Sequence, residues 1–346
     1  MKKIATRALL ALSFVSAPLF AGESIELKVL GQPGATGLIQ QEKEKPFFEN
    51  LAQSTGLPLD VNFKPLDSTG IKDVEELRTL KSGLFDIVSL RFSQVSRDEP
   101  TILGLDLVGL NPTYAEGLET TKAFGPVVDK RLQERFNTKL LGVWPFGPQV
   151  LFCNAPITKL GDIKGLKVRV YDQNLAAVID SVGGIPVPLS FGEVHQSLAL
   201  GVVDCAITGP SSANTAGWPE VTTHVLPLGF QMAINGYGIN LNTWNKLNSE
   251  QQGTLEQAFG TLTDEIWQYS EELFEDAKRC NVGQEPCLYN NKFDLVEVPV
   301  TAEDIALVKD AVKAISYPTW AEICDKTNPA CSADWRAAVG GKVGFN

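Results

Sequence analysis

The stretch from Gly165 to Gly209, GLKVRVYDQNLAAVIDSVGGIPVPLSFGEVHQSLALGVVDCAITG, leaves this chain few folds to choose from. Lys167 to Val170 is short, β-branched and alternating, which predicts a strand with Arg169 near its carboxyl end. Asn174 to Val182 carries apolar residues at helical spacing and stops at Gly183-Gly184, a common helix terminator. Pro186 and Pro188 exclude helix from Ile185 to Leu189 and favour an edge or open strand. Ser190 can cap a second helix, with Glu193 completing a capping box. That helix ends at Gly201, and Val202 to Thr208 reads as a third strand. The order β-α-β-α-β is the unit of an open α/β domain, in which ligands bind outside the carboxyl ends of the strands. Arg169 and Thr208 both fall at such ends.

The same order occurs earlier. Ser24 to Leu30 alternates as a strand, a helix is expected from Leu38 to Ser54, and Leu59 to Phe63 is a second strand. Ile71 to Ser82 reads as a helix stopped by Gly83, and Phe85 to Leu90 as a third strand leading into Arg91. Gly34-Ala-Thr-Gly37, at a strand-to-helix junction, is either a plain turn or a set of backbone amides open to an anion. It lacks the Gly-Lys-Ser/Thr ending of a phosphate loop. Two α/β domains are therefore expected, with a ligand cleft between them.

Strands at Thr138 to Trp144 and Val150 to Cys153 flank Pro145-Phe-Gly-Pro148, which reads as one crossing between the domains. A second crossing is expected around Met232 to Tyr237, where the strand pattern resumes after Pro227. The divisions that follow are 22–145 with 234–273 for the first domain and 146–233 with 274–346 for the second. Ser249 to Cys280 is one long helical pattern, with Leu255, Phe259, Leu262, Ile266, Tyr269 and Leu273 on one stripe. Its length, roughly 45 Å, outruns a single domain. A domain-spanning helix and a coiled-coil seam are the two readings of that stripe.

Met1 to Ala21 has three cations, then an apolar run and no acid, which reads as a secretory signal peptide cleaved after Ala21, with an uncleaved anchor as its alternative. The formal charge of −11 becomes −14 without Lys2, Lys3 and Arg7, which argues against nucleic acid and anionic lipid as partners. An anionic ligand must then be held by local cations. Export permits disulfides. The matched spacings favour local Cys280–Cys287 and Cys324–Cys331 bridges, with cross-pairing of the four left open, and Cys153 and Cys205 read as buried free thiols. No zinc site is expected without clustered cysteines and histidines. The only histidines, His195 and His224, have no evident nucleophile or metal partner, and Gly209-Pro-Ser-Ser-Ala213 lacks the last glycine of a nucleophile elbow. Neither an enzyme nor a cofactor is expected.

The run Lys167-Val-Arg-Val170, then Ser190-Phe-Gly-Glu-Val-His-Gln-Ser-Leu198 and Gly201-Val-Val-Asp204, resembles the periplasmic solute-binding proteins of TRAP (tripartite ATP-independent periplasmic) transporters, the DctP-like family. The likeness runs from Leu80-Lys-Ser-Gly-Leu-Phe-Asp-Ile87 through the long helix after Asn248. It implies a type II periplasmic binding protein-like fold, a helix spanning both domains, and a binding protein that delivers its ligand to ion-gradient-driven TRAP membrane permease subunits. A binding protein for an ABC importer, or one presenting ligand to a sensor, are the alternatives; the protein is expected to act as a monomer. The resemblance makes Arg169 the anchor for a ligand carboxylate, against a salt bridge to Asp172 or Glu193 as the bland alternative. Gln149 stands where many members carry a second arginine, and Thr208 where a ligand-facing asparagine is familiar. These departures favour a small monocarboxylate. Phe146 and Trp144, with Phe92, Phe191 and Trp218, are candidates for the apolar wall. Gln231 and Asn235 are further candidate contacts, Arg91 is the other cation to consider, and Glu193 a second group able to orient Arg169.

Overall fold

The computed structural model of the protein describes residues 24–345, so the expected signal peptide lies outside the described residues. The strands are β1 (Ile25–Gly31), β2 (Leu59–Pro65), β3 (Ile87–Arg91), β4 (Thr138–Pro145), β5 (Val150–Cys153), β6 (Lys167–Val170), β7 (Ile185–Pro188), β8 (Cys205–Thr208), β9 (His224–Leu226), β10 (Ile234–Asn240) and β11 (Val296–Glu297). They form two mixed sheets, ordered β2-β1-β3-β10-β4 and β11-β9-β5-β8-β6-β7. Each contains a parallel trio built by one β-α-β-α-β unit, β2-β1-β3 in the first and β7-β6-β8 in the second. Antiparallel strands then extend each trio.

Local chemistry moves several boundaries. The helix expected from Leu38 opens with a π turn over Gln40–Glu44 before the α-helix Lys45–Thr55. Pro46 has no N–H to return to the carbonyl four residues back, so the ladder widens there. The segment from Ile71 divides into a short 3-10 turn, Asp73–Glu75, and the helix Glu76–Ser82. β8 starts at Cys205 because the amides of Val202 and Val203 are spent on the Ser197 carbonyl at the end of the preceding helix.

Both faces of each sheet are covered. Leu27, Val29, Ile87 and Ile239 lie in one core of the first sheet, while Leu30, Val88, Leu90 and Ile234 lie in another. In the second sheet Val168, Val170, Cys205 and Ile207 share one core, and Val150, Phe152, Ala206 and Trp218 share the opposite one. The period-two alternation is what sorts these residues.

The helix Ser249–Asn281 buries Leu255, Phe259, Leu262, Ile266 and Leu273 against the first sheet. Its last residue, Asn281, accepts from Asn214 Nδ2 at 2.7 Å and donates to the Pro210 carbonyl at 3.2 Å, both on the second sheet's helix Pro210–Thr215. The apolar stripe is thus consumed inside the chain, and the helix reaches from the first sheet to the second. No helix among the described residues is long and apolar enough to cross a membrane.

We propose the division 22–145 with 234–273 and 146–233 with 274–346 for the two domains. The last piece is shared, however: Val298 and Val308 join a core of the second sheet, whereas Trp320 and Trp335 pack with Phe124 in a core of the first. Cys280–Cys287 and Cys324–Cys331 are disulfides. Cys153 and Cys205, expected as free thiols, are instead joined. β5 and β8 pair antiparallel with these residues opposite each other, their Cα atoms 4.0 Å apart, a contact that only the sheet order creates. Asp276 converges on Cys280 and Cys287, but the sulfur atoms of that group are bonded to each other.

Candidate functional site

The two crossings run side by side between the sheets. Phe146 N donates to Ala233 O at 3.1 Å, Gly147 N to Met232 O at 3.0 Å, and Gln149 N to Gln231 O at 2.8 Å. Above this ribbon lies a cleft of about 450 Å³, counting its open side, reached by side chains from both sheets.

Arg169 is the second sheet's contribution. Its neighbours on β6, Val168 and Val170, point into a core, so alternation turns the guanidinium to the opposite face beside Trp218. The side chain is 2% exposed. Nε donates to Leu189 O at 3.1 Å and Nη1 to Ile207 O at 2.9 Å. Among the described residues no carboxylate lies within ion-pair distance of it, so neither Asp172 nor Glu193 supplies the salt bridge that was the alternative reading of this arginine. Burial pushes its pKa down to about 10, still far above neutrality. A guanidinium has five N–H donors; the two backbone bonds leave the rest of this one unspent.

Arg91, at the end of β3, faces the same cleft from the first sheet. Its Nε donates to Gln32 Oε1 at 2.6 Å, and Nη1 lies 3.8 Å from Asp73 Oδ2. Its backbone amide donates to Glu76 Oε2 at 2.7 Å, and Gln32 N to Glu44 Oε2 at 2.9 Å. Burial raises the pKa of Glu44 to about 7 and of Glu76 to about 8. Burial also lowers that of Arg91, against the raising influence of Glu76, Asp73 and Glu44.

Among the expected contacts, Gln149, Thr208, Phe146 and Asn235 line the cleft with the two arginines. Thr208 shares the face of Arg169 because it stands two residues beyond Ala206, the register partner of Arg169. Gln149 donates to the Gly147 carbonyl at 2.7 Å, and Asn235 to the Ala233 carbonyl at 2.7 Å.

Residues 32–285 match the model of the bacterial extracellular solute-binding protein family 7, DctP. The chain belongs to that family. It is an extracytoplasmic, non-catalytic solute-binding protein of the TRAP type. It is 27% identical to the C4-dicarboxylate-binding periplasmic protein DctP of Rhodobacter capsulatus over 63% of this chain and 66% of that one. Against the sialic acid-binding periplasmic protein SiaP of Vibrio cholerae the identity is 25% over 74% and 79%. The fold matches a TRAP periplasmic solute-binding protein of Desulfovibrio salexigens, solved with orotic acid, at TM-score 0.80 and 16% identity, covering 92% of this chain and all of that one.

Five candidate residues of this DctP-family chain sit away from the cleft surface. Trp144 is fully buried beneath Phe146, its ring 5.0 Å away edge-on. Gln231 lies one layer back, accepting from the Tyr171 hydroxyl at 3.0 Å and donating to Asp106 O at 2.7 Å. Glu193 is spent on its own helix start, accepting from Ser190 N at 3.1 Å. Phe92 belongs to a core of the first sheet and Trp218 to one of the second, whereas Phe191 reaches the cleft and stacks on Trp218 at 5.5 Å. Tyr171, Ser93 and Gln94 also line the cleft and were not candidate contacts in the sequence. The cleft is lined too by Thr36, from the Gly34–Gly37 segment that forms a 3-10 turn, and by Ser212, from the Gly209–Ala213 segment. Tyr171 was within reach of the alternation rule, being two residues past Arg169. Thr36, Ser93 and Gln94 follow β1 and β3, where the strand-end rule applies to the first sheet as it did to the second.

Proposed function

We propose that this protein captures a small organic acid bearing one carboxylate, seats that carboxylate on Arg169, and delivers the ligand to a TRAP membrane permease. The observation that carries the reading is a buried arginine whose only hydrogen-bond partners among the described residues are carbonyls. An uncompensated buried cation is costly, and a planar carboxylate is the partner its fork best accepts. Arg91 is a weaker candidate for a second carboxylate, because Asp73, Glu76 and Glu44 already surround it. Gln149, Thr208, Asn235 and Ser212 offer neutral groups to ligand hydroxyls or ring heteroatoms. The overall charge of −11 leaves anion capture to these local groups.

The relatives span both ligand types, since the R. capsulatus protein is named for dicarboxylates and the V. cholerae protein for sialic acid. Calorimetric titration with matched pairs, 2-hydroxybutanoate against malate first, tests the choice, after a thermal-shift screen has ranked the acids. The expected result is that the monocarboxylate binds at least as well as its partner. A tenfold preference for dicarboxylates across the pairs, about 1.4 kcal/mol, would assign the second carboxylate to Arg91 and overturn the single-carboxylate reading.

A further inference from the structure

The two crossings are fixed by different means. Gly147, at φ 101°, passes where a Cβ would lie 2.2 Å from the Tyr114 hydroxyl, which itself donates to Ser270 O on the long helix at 2.8 Å. Sterics hold that first crossing. The second contains Ala233 at φ 49°, a left-handed backbone conformation that alanine ordinarily avoids.

Asp106 accounts for it. This residue follows the 3-10 stretch Pro100–Leu105, is buried, and forms no ion pair among the described residues. Its carboxylate straddles the turn instead. Oδ1 accepts from Met232 N at 2.9 Å and Oδ2 accepts from Ile234 N at 3.3 Å, the amides on either side of Ala233. The turn they hold has two consequences in the cleft, and the Asp106 backbone adds a further link. The Ala233 carbonyl accepts from Phe146 N, joining the crossings, and from Asn235 Nδ2, orienting that side chain. The Asp106 carbonyl accepts from Gln231 Nε2, and Gln231 Oε1 accepts from the Tyr171 hydroxyl in the cleft wall. Gln231 Nε2 also reaches Asp172 Oδ2 at 3.2 Å, the residue that caps the helix after β6.

We propose that Asp106 is a positioning residue for capture: by holding the amides flanking Ala233 it sets the angle at which the two sheets present Arg91 and Arg169 to one ligand. The geometry is independent of ligand identity; the consequence for capture rests on the function proposed above. Every cysteine among the described residues is in a disulfide, so thiols added at exposed sites can be spin-labelled selectively. Asn62→Cys on β2 and Asp180→Cys on the helix Gln173–Ser181 report the distance between the sheets. In ligand-free protein, Asp106→Ala is expected to shift the wild-type distance distribution or add a second population, with native circular dichroism. Loss of stability alone would lower the melting temperature and leave that distance unchanged. An unchanged distribution in the folded variant overturns the proposal. Should Asp106→Ala fail to fold, Asp106→Asn decides in the same way, since its amide nitrogen cannot accept from the second backbone N–H. Orotate titrated into each variant supplies the ligand arm, expected to show a severalfold weaker affinity in Asp106→Ala. Absence of binding to the wild type counts against orotate as a ligand and leaves the distance result to decide the role of Asp106.

Discussion

Two buried arginines, one ending β3 and one a residue short of the end of β6, face one cleft from two different sheets, yet they are built differently. Each guanidinium lies near two aromatic rings: Arg91 is 5.9 Å from Phe146 and 6.0 Å from Phe191, and Arg169 is 5.4 Å from Tyr171 and 5.9 Å from Trp218. Behind Arg91 stands the Asp73 carboxylate, 3.8 Å from Nη1, with Glu76 and Glu44 buried close by, so its charge has a partner within the fold. Among the described residues Arg169 bonds only to the carbonyls of Leu189 and Ile207, whose dipoles steady the side chain without neutralising it. Similar stacking with different compensation separates a cation paired within the fold from the one proposed above to take the ligand carboxylate.

The sharpest way to break this contrast is to remove each arginine and ask which property suffers. Arg169→Ala should cost about 2–5 kcal/mol of ligand affinity, as truncating one member of a buried charge pair does. That is roughly a 30- to several-thousand-fold weaker dissociation constant by calorimetry. Arg169→Lys should also lose affinity, because an ammonium keeps the charge without the planar fork. Circular dichroism should stay native in both. Binding within threefold of wild type in Arg169→Ala would move the carboxylate elsewhere, and unfolding would make Arg169 a structural residue like its counterpart.

Arg91→Ala should do the reverse. It leaves the buried Gln32 Oε1 without its donor and Asp73 without its cation, which costs about 1–3 kcal/mol of stability in urea denaturation. The affinity should change less than in Arg169→Ala. Equal losses of affinity in the two variants would erase the distinction.

The pH dependence of stability is the gentlest probe of the same difference. Burial holds Glu44 near 7 and Glu76 near 8, both above the ordinary 4.5, so the folded state keeps protons that the unfolded chain releases. Their contribution is complete below about 4.5 and is lost as pH rises through the folded values, so the melting temperature should fall between about pH 5 and 8. Asp106, raised to about 7 by burial, acts in the same direction. Glu76→Gln should flatten the slope. An unaltered slope in that variant would place the titrating groups away from Arg91.

Much of this was legible in the chain. Alternation and helical spacing are local signals, so the two β-α-β-α-β units, the long helix and the strand-end position of Arg169 follow from neighbours a few residues apart. The close spacing within Cys280–Cys287 and Cys324–Cys331 made those bridges readable for the same reason. What the tertiary structure alone decided are relations across strands and between sheets. Cys153 meets Cys205 because β5 lies antiparallel to β8, a pairing between residues separated by 52 positions. Arg91 stands among acidic side chains because the 3-10 turn before the short helix brings Asp73, the π turn after β1 brings Glu44, and the short helix before β3 brings Glu76, to the same place. Gln231 and Trp144 fall one layer behind the cleft because the crossings turn them there. Local periodicity says which face a residue takes. Only the order and register of the strands say what that face will meet.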